Sequence, residues 1–119
     1  MSEMKLDVVG MNHRLLPGKR RTLATYIETS PLKCKLQREP DNIYDKNAIK
    51  VLVTDSRLNK SRLHIGYVRR GTAEVVAQGM DSGRLKVKSC HLTDVDVTHG
   101  SGSLTVVFLK TPASKPFSS

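Results

Sequence analysis

From Leu32 to Gln37 the chain alternates strictly, with Leu32, Cys34 and Leu36 set against Lys33, Lys35 and Gln37. Successive side chains of a strand point to opposite faces, so period two predicts a strand with one buried and one wet face. The alternation resumes at Ile49, Val51 and Val53, with Lys50 outward, and predicts a second strand from Ala48 to Thr54. Pro40 lies between them. It has no N–H to give a ladder, so it marks the end of the first strand. Asp41, Asn42, Asp45 and Asn47 favour turns, because their short side chains bond nearby backbone groups. A plain turn needs fewer residues than this. The segment also sets one aromatic, Tyr44, directly beside one carboxylate, Asp45, which suggests a recognition loop.

The flanking sequence extends the β pattern. Leu6, Val8 and Val9 predict a short first strand, after which Gly10 allows a bend or a close backbone approach. Leu63, Ile65 and Tyr67-Val68 predict the third strand of a meander, beyond a polar hairpin loop from Asp55 to Ser61. From Arg84 to Val97 the apolar residues change parity: Leu85 and Val87, then Cys90 and Leu92, then Val95 and Val97. A slip of one residue moves every side chain to the other face, so these changes predict bulges, and bulges bend strands as a small barrel requires. A flexible turn from His99 to Ser103 leads to a last strand, Leu104 to Leu109. The expectation is therefore mainly β, with six strands.

One helix is predicted, from Thr72 to Met80, because Ala73, Val76, Ala77 and Met80 follow i, i+3, i+4, i+7 spacing. Thr72 reads as its N-cap, Glu74 suits its first turn, and Gly79 or Gly83 can end it. The long segment from Met11 to Pro31 shows no clear period. Pro17-Gly18 reads as a turn, Lys19-Arg20-Arg21 as a basic cluster, and a helical turn is expected around Thr22 to Glu28. Residues 1–110 are expected to form one domain, and residues 111–119, with Pro112, Pro116 and small polar residues, a disordered tail.

Twenty Lys and Arg against eleven Asp and Glu give a net charge of +9, which favours polyanionic partners: DNA, RNA or an anionic membrane. No run approaches the roughly 20 apolar residues that cross a bilayer. The N-terminal residues lack the apolar core of a secretory signal, so a protein that is not secreted is expected, cytoplasmic in a prokaryote or nuclear in a eukaryote. Cys34 and Cys90 form no disulfide framework and read as reduced, buried thiols.

Catalytic and metal readings find no support. A calcium loop starting at Asp41 needs Gly at its sixth position, where Lys46 stands. A magnesium-dependent nuclease needs an acidic-x-Lys partner on the next strand, which reads Ala48-Ile49-Lys50-Val51. Zinc needs close ligand pairs, and Cys34, Cys90, His13, His64, His91 and His99 supply none. His64 reads as a surface strand residue, and His91 and His99 as solvated. No nucleophile triad or phosphate-cradling loop is legible. A binding protein is expected, with no enzyme activity, metal or cofactor.

REPDNIYDKNAIKV, preceded by Asp7-Val8-Val9-Gly10 and followed by Ile65-Gly66-Tyr67-Val68-Arg69-Arg70, resembles the HIRAN domain. The resemblance runs roughly from Lys5 to Leu109. It implies a small OB/SH3-like barrel that binds 3′ ends of single-stranded DNA, in DNA repair or the processing of stalled replication forks. It assigns Asn42, Tyr44, Asp45, Tyr67, Arg69 and Arg70 to the DNA-end pocket. Tyr44 and Tyr67 would stack on terminal bases, Asp45 would accept a hydrogen bond from the terminal hydroxyl, and Arg70 would hold phosphates. Asn12 and His13 stand where the family places DNA-facing residues, although many members carry an aromatic or basic pair there instead of Met11-Asn12-His13-Arg14. Lys19, Arg20 and Arg21 are auxiliary phosphate contacts on this reading. It also implies a monomer that works with a separate DNA-dependent ATPase or repair protein. The alternative is a protein-interaction or RNA-binding barrel without end recognition.

Overall fold

Alternation at Met4, Leu6 and Val8 carries the first strand back to Ser2, so β1 is Ser2–Val9. The computed structural model describes residues 1–59 and 62–111. After β1 come α1 (Met11–Arg14), α2 (Pro17–Thr29), β2 (Leu32–Arg38), β3 (Ile49–Val53), β4 (Leu63–Val68), α3 (Arg70–Asp81), β5 (Leu85–Asp96) and β6 (Ser101–Lys110). The strands close into one antiparallel barrel in the order β1-β4-β3-β2-β5-β6. Leu36, Val51, Ile65, Leu92, Leu104 and Phe108 point into its core.

The barrel is two ribbons joined along two short seams. One ribbon is β2-β3-β4 and the other β5-β6-β1, each with a longer ladder inside it. The first seam joins β1 to β4 through Val8↔Val68 and Val9↔Tyr67. The second joins β2 to β5 through Leu32↔Leu92 and Lys33↔His91. A Cβ on Gly66 would lie 2.4 Å from the Val9 carbonyl oxygen, so the first seam can close only over a glycine. Beside the second seam Cys34 and Cys90 are buried and free, and contact with Cys90 and then burial raise the Cys34 pKa.

The bulges predicted in β5 occur between Val87 and Ser89 and between Leu92 and Asp94. The turn before β6 is shorter than predicted. Gly100 N–H closes it onto the Asp96 carbonyl at 2.9 Å, and pairing begins at Ser101.

Three helices form where one helix and a helical turn around Thr22 to Glu28 were predicted; that turn lies inside α2. Pro17 opens α2 rather than making a turn, because proline at the first helical position loses no hydrogen bond and already has helical φ. Arg20, Leu23, Ala24 and Ile27 form its inner stripe at i, i+3, i+4, i+7 spacing, so an arginine holds a place where an apolar residue was expected. Gly10, at φ +79, kinks the chain from β1 into α1. Helix α3 begins before Thr72, with Arg69 at its N-cap and no side-chain cap. It runs through Gly79 to Asp81, where Gly83 N–H bonds the Met80 carbonyl at 3.2 Å. Among the described residues no helix is long and apolar enough to cross a membrane. Thr111 N–H bonds the Arg84 carbonyl, and the rest of the expected tail lies outside the described residues.

Candidate nucleic-acid interface

The loop from Glu39 to Ala48 is held by its own side chains. Asn42 Oδ1 accepts the backbone N–H groups of Tyr44 at 2.8 Å and Asp45 at 3.0 Å. Asp45 Oδ1 accepts the Asn47 N–H at 2.9 Å. These are the turns that Asn and Asp favour. Arg38 fastens the loop to the barrel: Nη1 donates to the Ala48 carbonyl at 2.7 Å and Nη2 to the Lys46 carbonyl at 2.9 Å. Its Nε and Nη2 also grip the Asp81 carboxylate at 2.9 and 3.0 Å, at the far end of α3. One guanidinium therefore ties the loop to the helix.

A groove of about 400 Å³ lies between this loop, the first seam and the start of α3. Val9, Ala48 and Val68 give it apolar walls; Asn42, Tyr44, Asp45, Tyr67 and Arg70 also line it. Five of the sequence-predicted residues thus converge. Tyr44 is 83% exposed, so its ring is open to a ligand. Arg70 Nε stands 3.8 Å from Asp45 Oδ2 in an exposed position at the N-terminus of α3. Arginine, free helical N–H groups and the positive helix end all favour a phosphate there.

Tyr67 is half-buried. Its hydroxyl donates to Glu39 Oε1 at 2.9 Å, and its ring meets His64 edge to face at 5.0 Å. Glu39 also accepts from Asn42 Nδ2 at 2.6 Å and pairs with Lys50 Nζ at 2.9 Å. Hydrogen bonding from Asn42 and then Lys50 holds the Glu39 pKa down to about 2. Burial, followed by the bond to Glu39, raises the Tyr67 pKa, so the phenol keeps its proton. Burial and Arg14 lower the His64 pKa. His64 lies on β4 as expected but is half-buried: Nε2 donates to the Gly66 carbonyl at 3.0 Å, and its own carbonyl accepts from Arg14 Nε at 3.3 Å.

Glu39, Lys50, His64 and Arg14 were missed in the sequence. The available signal was register: β3–β4 pairing sets Lys50 directly beside Tyr67.

The other predicted residues lie outside the groove lining. Arg69 is on its margin, with Nε 3.3 Å from Asp7 Oδ2. Asn12 and His13 are exposed on α1, where Asn12 packs against Gly100. Lys19 and Arg21 are exposed on α2, and Lys19 lines a separate depression with Tyr26 and Arg57. Arg20 is a correction. It is 7% exposed, donating from Nε to the Val97 carbonyl at 2.8 Å and from Nη1 to the Leu15 carbonyl at 2.7 Å. Its guanidinium satisfies buried carbonyls and is not presented to a phosphate.

The sequence profile of the HIRAN domain matches residues 3–99. The chain belongs to the HIRAN domain family. That family is one of DNA-binding modules. The crystal structure of the HIRAN domain of human HLTF is similar at a TM-score of 0.64 and 21% identity, over 90% of this chain and 74% of that one. A protein from Lactobacillus plantarum gives a TM-score of 0.61 at 22% identity, over 92% of this chain and 100% of the other. At such identity these likenesses establish the fold. No curated protein matches the chain significantly.

Proposed function

We propose that this HIRAN domain binds single-stranded DNA and reads a free 3′-hydroxyl end in the groove beside the first seam. The observation that carries the reading is the meeting of Asp45 and Arg70, 3.8 Å apart, in a groove also lined by Tyr44 and Tyr67. An ionised carboxylate only accepts hydrogen bonds, so Asp45 suits a terminal hydroxyl and repels a terminal phosphate. Arg70 and the start of α3 suit the phosphate before it. Tyr44 offers an exposed ring and Tyr67 a fixed one for the last bases, and each stacked base contributes about 1–3 kcal/mol. Asn42 shapes the loop that carries both Tyr44 and Asp45. On this reading Arg69, Lys19 and Arg21 would meet phosphates beyond the groove, and Asn12 and His13 on α1 would add contacts to the incoming strand.

The role is binding, with no catalytic step assigned to any residue. End recognition of this kind serves DNA repair or stalled-fork processing, in which a separate DNA-dependent ATPase or repair protein supplies the motor. The domain acts as a monomer in the compartment that holds the DNA.

Fluorescence anisotropy with matched oligonucleotides tests the reading. Tight binding of a 3′-hydroxyl end and much weaker binding of the same strand with a 3′-phosphate is expected. Equal affinity for the two ends would leave a nucleic-acid or protein-binding barrel without end recognition.

A further inference from the structure

Beyond Lys33↔His91 the ladder of the second seam stops. From there β2 continues to Arg38 and β5 reaches back to Leu85, each paired only on its far side, with β3 and β6. The strands part around a groove of about 570 Å³, separate from the one assigned to DNA. Its floor is apolar, formed by Leu36, Met80, Leu85 and Val87 next to the two buried thiols. Exposed lysines stand along both rims, Lys33 and Lys35 on β2 and Lys86 and Lys88 on β5, and no Asp or Glu lines it.

We infer that this second groove takes an extended acidic peptide segment by strand addition. An unpaired strand edge is a template for another strand, whose main-chain groups complete the ladder. Alternate side chains of the added strand would face the apolar floor, and those between them would reach the rims. Four lysines with no opposing carboxylate select acidic residues at those rim positions.

Edge lysines also guard a sheet against pairing with copies of itself. That accords with the inference, because a second copy of this +9 chain brings like charge to the groove. The sequence after Thr111 contains Lys115 and neither Asp nor Glu, so the chain's own C-terminal residues do not match the rims. A single-stranded nucleic acid would match the lysines, but such strands are held on successive aromatic platforms, and this groove is lined by no Phe, Tyr or Trp and by a single ring, His91. The partner is therefore a protein segment with acidic and apolar residues in alternation.

The probe is a short, end-blocked, fluorescein-labelled peptide of alternating Asp and Val, titrated with the full chain. Saturable binding is expected, with amide NMR shifts concentrated in β2 from Lys35 to Arg38 and in β5 from Lys86 to Ser89. The K35E/K88E double variant should weaken it by at least about tenfold. Both lysines are exposed, so its melting temperature should match wild type, as should its affinity for 3′-hydroxyl DNA. A counterpart peptide of alternating Lys and Val should not bind. Absence of saturable binding, undiminished binding by K35E/K88E, shifts centred on Tyr44 instead, or displacement of the peptide from β2 and β5 by a 3′-phosphate oligonucleotide would each overturn the inference.

Discussion

Tyr67 and Glu39 are joined by a hydroxyl-to-carboxylate hydrogen bond of 2.9 Å, and the same Glu39 oxygen accepts the Asn42 amide at 2.6 Å. One carboxylate thus links a ring on β4 to the loop that carries Tyr44 and Asp45. Tyr67→Ala should weaken oligonucleotide binding about tenfold or more, since it removes a stacking surface. Tyr67→Phe keeps the ring and loses one hydrogen bond to a charged carboxylate, a cost of about 1.5–3 kcal/mol that should fall mainly on stability rather than on DNA affinity. Its affinity should stay within several-fold of wild type. A Phe variant as weak as the Ala variant would show that the ring face does not make the contact.

Acid should act on the same carboxylate. Glu39 is held at about 2, below its ordinary 4.5. A depressed carboxylate pKa contributes stability that is present above the unfolded value and lost as pH falls through the folded one. The contribution should therefore be complete above about 4.5 and fade toward 2. Glu39→Gln removes it at every pH. Denaturant melts on either side of that window should show wild type losing more stability than the variant. Equal losses would mean that Glu39 is not held in this network.

Tyr44 is 83% exposed, and its removal leaves no cavity. Tyr44→Ala should reduce oligonucleotide affinity about tenfold, one decade being ~1.4 kcal/mol, and leave the melting temperature nearly unchanged. A large drop in melting temperature with affinity retained would make the ring a packing element.

At Asp45 two effects oppose each other. At ~8 Å through water the carboxylate repels a phosphate by only about 0.5 kcal/mol, and salt weakens that further. A hydrogen bond from a 3′-hydroxyl to the charged group contributes about 1.5–3 kcal/mol. The bond should win, so Asp45→Ala should weaken binding to 3′-hydroxyl DNA and erase most of the preference over a 3′-phosphate. Asp45→Asn retains an acceptor for the Asn47 N–H, so it separates loss of charge from loss of the turn. A variant that binds 3′-hydroxyl ends more tightly than wild type would remove Asp45 from this role.

Arg20 should behave as a structural residue. Arg20→Ala leaves the Val97 and Leu15 carbonyls without their donor, and each unsatisfied buried group costs about 1–3 kcal/mol. Thermal melting should fall clearly while DNA affinity in the folded fraction stays unchanged. Loss of affinity without loss of stability would restore it as a phosphate contact.

The strands were legible because one face of each is buried and period two survives in the sequence. Even the β5 bulges showed as parity changes at Val87 and at Leu92. The first turns of α2 were hidden by Arg20, which breaks the apolar stripe while packing as part of it, so only a helical turn around Thr22 to Glu28 was legible. The start of α3 was misplaced at Thr72 because Ala73, Val76 and Ala77 report the buried middle of a helix rather than its first turn. Within the groove proposed for DNA, Asn42, Tyr44, Asp45, Tyr67 and Arg70 were named from their motifs. Glu39, Lys50 and His64 join Tyr67 only through the pairing of β3 with β4 and the end of β2, a relationship no single stretch contains.

The two seams also order the events by which this barrel loosens. Amide protons within each ribbon exchange with solvent only when a long ladder opens, whereas those at a seam are released when a pair of rungs parts. The groove proposed for DNA borders one seam and the lysine-rimmed groove the other. A strand of DNA bridging β1, β4 and the loop would slow exchange at Val9 and Val68, and an added peptide strand would slow it along β2 and β5. Each ligand would thus leave its own protection footprint, written on the least guarded amides of the barrel.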